Sequence, residues 1–140
     1  MLERRALTTT RCSLHSGECV THESSVHHSS KTMPGVSFSV RKVSFGQRIE
    51  LARRIREIAR RLEYASAGEA FADRVEASLL SMEIERLYLE WGTIEVTGLE
   101  IDGRPATIET LVSSGPEELC REIVQAVRHE CGLNEDERKN

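Results

Sequence analysis

Near the start of the chain, Cys12, His15, Cys19 and His22 have the residue types and order of a metal site, C-x2-H-x3-C-x2-H. Zinc is held by thiolate and imidazole ligands in tetrahedral reach, and these four side chains could supply them. The intervening loops, however, are shorter and more regular than zinc loops, and no apolar set lies nearby to pack around a metal. No metal ligation is expected there. A nucleophilic pair of cysteine and histidine needs a third orienting group and a pocket. The run His129-Glu130-Cys131 specifies neither. Asp102 precedes Gly103 in a turn that favours aspartate for backbone reasons alone. Cys120 and Cys131 fall on one helical face three turns apart, about 16 Å along the axis, too far for a disulfide. With no glycine-rich phosphate loop either, the chain is expected to be neither an enzyme nor a cofactor binder.

The remaining candidates are surfaces. A predicted helix over 45–64 carries six arginines against three glutamates between Phe45 and Glu63. Arg53, Arg54, Arg60 and Arg61 form a basic surface on its outer face, which could meet phosphates with salt-dependent affinity. Glu50 to Arg54 and Glu57 to Arg61 are also favourable i,i+4 pairs, each worth about a few tenths of a kcal/mol. The next helix, over 69–91, carries six acids against two arginines. Two helices of opposite charge are expected to pack and complement each other, so nucleic acid is not the expected partner.

That second helix is apolar on two sides. Phe71, Val75, Leu79, Met82 and Leu89 share one side; Leu80, Ile84, Leu87 and Trp91 share another, about 100–200° away. Glu76, Glu83 and Glu90 lie between them. One side can meet the first helix. The other must be covered by the rest of the domain or by another protein's amphipathic helix. On the second reading the partner-binding residues come from Phe71, Val75, Leu79, Leu80, Met82, Ile84 and Leu87.

The elements that would position these surfaces imply a mainly α domain of the α+β class. Three principal helices are expected, with a short N-terminal strand and a small β-hairpin between the second and third helices. Val36, Phe38 and Val40 alternate with polar residues, the period of a half-buried strand. Ser44 and Gln47 have the spacing of a capping box. Leu51, Ile55, Ile58 and Leu62 form the inner face of the first helix, which ends at the turn Ala65–Gly68. Gly92 is expected to close the second helix in the left-handed conformation. Asp102-Gly103 suits a tight hairpin turn, and Pro105 limits its return arm. Thr107 can cap a short helix through about Val112. The third principal helix is expected over Pro116–Cys131, with proline at its first position and Gly132 as its stop.

Residues 1–32 differ from the rest. Eleven of them are Ser or Thr and none is aromatic, so they are expected to be a disordered extension that cannot offset its ordering entropy. Met33 directly after them is an alternative start for the polypeptide. Residues 33–133 are expected to be one globular domain, followed by a charged tail over 134–140. A length of 140 residues fits that single domain, and a net charge of -4 argues against nucleic-acid binding by the protein as a whole. No apolar run approaches the ~18 residues of a membrane span, and no apolar segment near the start suits a signal peptide. The four cysteines then read as reduced thiols of a cytosolic protein.

Several runs resemble small tail assembly chaperones of tailed phages and prophages: VRKVSFGQRIEL at 40–51, Trp91-Gly92, GLEIDGRPAT at 98–107, GPEELCREI at 115–123 and the ending ECGLNEDERKN. The resemblance covers roughly 36–140. It implies a protein that binds the long helical tape measure protein, with the major tail protein as a further partner, in the bacterial cytoplasm and not in the mature virion. It also implies a longer, frameshifted form, for which Lys139-Asn140 would permit a slippery codon pair. The family has no invariant catalytic motif, so no site residue is transferred from it. Two other readings stand beside it: a small nucleic-acid-binding regulator using the arginine-rich helix, and a minor structural tail protein.

Overall fold

Residues 19–132 are described in a computed structural model of the chain. The elements run β1 (Ser25–Ser29), β2 (Ser37–Arg41), α1 (Phe45–Ala67), α2 (Phe71–Gly92), β3 (Thr93–Thr97), β4 (Glu100–Ile101), β5 (Arg104–Pro105), α3 (Ile108–Ser114) and α4 (Glu117–Glu130). The class is mainly helical α+β. Four helices stand where three principal ones are expected, the extra one being the seven-residue α3 that the Thr107 cap anticipates. β4 and β5 form the expected hairpin, with Asp102 and Gly103 both at positive φ in its turn.

The sheet is antiparallel in the order β1-β2-β3. Phe38 and Val40 point into the core from β2 as their alternation predicts, and Val36 is buried just before it. β3 leaves α2 with no intervening loop and pairs back onto β2, Val40 opposite Thr93, after a bulge at Ser39/Val40. The helical hairpin α1–α2 is therefore inserted between two neighbouring strands. Ser44 caps α1 through the expected reciprocal bonds with Gln47, at 3.0 and 3.2 Å. At about 1.5 Å per residue the helices span roughly 33 Å, and they form an arm whose base is fixed to the sheet.

At that base, Leu51 of α1 and Tyr88 and Leu89 of α2 join Leu119, Ile123, Val124 and Val127 of α4, Leu111 of α3 and the β2 residues in one core. Further along the arm, Leu80 and Ala65 are buried but stand outside that cluster. They close the seam between α1 and α2.

Four expectations are corrected. Gly92 has no left-handed backbone; it is the last residue of α2, and an added Cβ would collide with the Val127 side chain of α4. Close helix–helix approach explains this glycine better than capping does. Pro116 is the N-cap of α4, one residue before its first helical position. Arg61 pairs across the arm with Glu76 of α2 at 3.3 Å instead of within α1 with Glu57. Finally, residues 25–29 of the segment expected to be disordered form β1. Its order comes from backbone pairing with β2, from Val26 packed on the core, and from His28 stacked on Phe38 at 5.3 Å. An edge strand needs little apolar periodicity of its own when a neighbour supplies the ladder. Residues 1–18 and the tail expectation at 134–140 lie outside the described residues.

Thr93, at the junction of α2 and β3, is buried with no hydrogen-bond partner for its hydroxyl among the described residues. Thr93→Val keeps the shape and the strand preference while removing that group. It is expected to stabilise the domain by about 1 kcal/mol, read as a raised urea midpoint.

Candidate helix-docking surface

The outer half of α2 buries one side and exposes the other. Leu80 is 1% exposed, while Phe71, Val75, Leu79 and Met82 are 75%, 42%, 52% and 62% exposed. At about 100° per residue these four fall within one narrow stripe opposite Leu80. Phe71, Arg74, Val75, Ser78 and Leu79 line a shallow depression along it. The stripe ends where α4 and the core begin, because Leu89, on the same side of the helix, is buried. Four large apolar side chains exposed in a row are more than the scattered single exposures normal for a surface.

The residues expected to bind a partner are thus divided. Phe71, Val75, Leu79 and Met82 are free to be touched. Leu80 is sealed in the arm, and Ile84 and Leu87 are half-buried against the core. Those three pack within the domain and help hold the helix in place. The sequence shows the two stripes but not which one α1 covers, since both have suitable spacing.

On α1, Arg53, Arg54, Arg60 and Arg61 are all exposed. Arg54 is paired with Glu50 at 3.1 Å and Arg61 with Glu76 at 3.3 Å. Arg60 and Arg61 line a cleft near the arm's tip with Tyr64, Ala65, Asp73 and Glu76, where acids face the basic groups. The surface is a mixed one. Phe45, Ile49 and Tyr64 are further exposed apolar residues of α1 that the helical pattern did not single out.

Cys12 and His15 lie outside the described residues; Cys19 and His22 are exposed. Among the described residues no group of three or more His, Cys, Asp or Glu is placed to hold a metal. Cys19, Cys120 and Cys131 are free thiols. Burial pushes the Cys131 thiol up to about 11 and raises that of Cys120, so both stay protonated and inert at neutral pH. No helix among the described residues is long and apolar enough to cross a membrane.

One polar cluster has no local sequence signal, because it joins residues about ninety positions apart. Glu122 of α4 accepts hydrogen bonds from the Lys31 amide at 2.6 Å and from the Ser30 and Thr32 hydroxyls at 2.7 and 2.8 Å. Partial burial alone would raise its pKa, but these donors together hold the carboxyl below its ordinary value. A lowered folded-state value gives stability that is present above the unfolded pKa, near 4.3, and lost as pH falls through the folded value. Glu122→Gln is expected to lower stability at pH 7 by about 1 kcal/mol. It should also flatten the acid limb of the unfolding midpoint below pH 5, measured by circular dichroism.

Compared with protein-family models, curated proteins and solved structures, the chain matches none.

Proposed function

We propose that the protein is a non-enzymatic binding module that takes an amphipathic helix of another protein on the exposed stripe of α2. Following the sequence resemblance, we infer a tail assembly chaperone whose client is the tape measure protein, acting in the bacterial cytoplasm before tail polymerisation and left out of the virion. The supporting observation is the exposure of Phe71, Val75, Leu79 and Met82 on a helix whose opposite side is sealed by its own hairpin. Helix-in-groove recognition uses anchors at i, i+4 and i+7 spacing, and this stripe offers that spacing. Met82 adds a flexible, polarizable contact suited to clients of varied sequence. The charged flanks keep such a surface soluble while it is empty.

The test is affinity capture of the tagged full chain from a strain carrying the phage or prophage that encodes it, read by mass spectrometry. Recovery of a very long helical protein is expected, together with its loss when Val75 is replaced by Asp. Recovery of nucleic acid alone, or of nothing, would overturn the chaperone reading. Nucleic-acid binding that falls steeply with salt would put the regulator reading in its place. Detection of the protein in purified particles would favour a structural tail component.

A further inference from the structure

We propose that the empty stripe is covered by the same stripe of a second copy, the two α2 helices running antiparallel about a two-fold axis between Ser78 and Leu79. This goes beyond the client reading and stands or falls without it.

The first argument is where the exposed segment sits. The outer side of α2 is open from its first residue, Phe71, through Met82 and Arg86, and is closed at Leu89. The midpoint of Phe71 to Arg86 lies between Ser78 and Leu79. A two-fold axis there maps the open segment onto itself. Val75 then faces Met82, Phe71 faces Arg86, whose guanidinium can lie over the ring, and Leu79 lies within about 1.5 Å along the axis of its own copy.

The second argument is charge. In an antiparallel pair related by a two-fold axis, each edge of the stripe meets the same edge of its copy. At about 100° per residue, Arg74 and Glu85 lie within about 20° of each other on one edge. In this register Arg74 of each copy meets Glu85 of the other, making two symmetric ion pairs. Neither residue has an ion pair within its own chain among the described residues. The opposite edge is acidic and partly neutralised: Glu76 is held by Arg61, and Arg86 bonds Glu90 at 2.9 Å with Glu83 close enough to stabilise its charge. Arg74 and Glu85 are thus complementary to each other across the two-fold axis.

The contact is about sixteen residues long, or roughly 24 Å of helix, and falls short of a standard interface of about 1,600 Å². The dimer is therefore weak, in the micromolar range, and a client helix can displace it.

The test is sedimentation velocity of the purified full chain, without client, across micromolar concentrations, with circular dichroism as the control for folding. A concentration-dependent dimer is expected, and Leu79→Asp should leave a folded monomer. Arg74→Glu alone and Glu85→Arg alone should each weaken the dimer about tenfold, and the two together should restore it. Crosslinking gives a second measurement that does not depend on charge reversal. Leu79→Cys should form a disulfide-linked dimer faster than the unaltered chain, whereas Phe71→Cys should not, because its copy lies about 24 Å away along the axis. A monomer at every concentration overturns the proposal and leaves client capture untouched. A dimer that ignores Leu79→Asp, or that the double charge reversal fails to restore, overturns it equally.

Discussion

Leu79→Asp and Leu80→Asp, one residue apart, are expected to have opposite consequences. Leu80 is sealed between α1 and α2. An aspartate there must bury a charge with no partner or pry the helices apart, a loss of about 4 kcal/mol or more. Because Leu80 lies outside the main core, the damage should begin in the arm: helical circular dichroism falls, and amides of α1 and outer α2 lose exchange protection before those of α4. Leu79 is half exposed. Aspartate at that position should change stability by no more than about 0.5 kcal/mol while abolishing capture of the client. Equal unfolding of both variants would refute this division of α2 into a sealed side and an open one. Client capture that survives Leu79→Asp would refute the docking surface.

The second large effect concerns the start of the domain. Removing residues 1–32 deletes β1, the packing of Val26, the ring stacked on Phe38, and the Ser30, Lys31 and Thr32 donors to Glu122. Val26 burial, the charge-assisted bonds and the ring contact together suggest a loss on the order of 4 kcal/mol. That is a large share of the roughly 5–15 kcal/mol available to a domain. Urea unfolding of 33–140 beside the full chain measures it, and removal of residues 1–18, which leaves every described contact in place, is the control. An unchanged midpoint for 33–140 would show that β1 contributes nothing to stability.

Local chemistry made much of the fold legible. The Ser44–Gln47 capping box, the alternation of Val36, Phe38 and Val40, the Asp102-Gly103 turn and the Gly132 stop all rest on signals within a few residues, and each is found where it was read. What stayed hidden depends on distant partners. β1 is ordered by pairing with β2 and by Glu122, not by any pattern in Ser25–Ser29. β3 carries no local signal, because Thr93–Thr97 follows a helix without a break and its alternation is too short to stand out. Gly92 sits where a backbone role is the local expectation, but its constraint is Val127, thirty-five positions away (127 minus 92). The candidate surface was half legible for the same reason. Periodicity places Phe71, Val75, Leu79 and Met82 together, but only tertiary packing decides that Leu80 is sealed and that Ile84 and Leu87 are half-buried against the core.

The placement of the α1–α2 hairpin also bears on how the chain folds. Val40 and Thr93 are neighbours in the sheet but fifty-three residues apart in sequence (93 minus 40). Closing so long a flexible loop is entropically unfavourable and makes strand pairing slow. A preformed antiparallel helix pair removes most of that penalty, because it returns the chain to within strand distance of its starting point. The seam around Leu80 and Ala65 is thus expected to belong to the folding nucleus. Small truncations there, such as Leu80→Val, should slow refolding in stopped-flow experiments, whereas truncations in the strands should mainly speed unfolding.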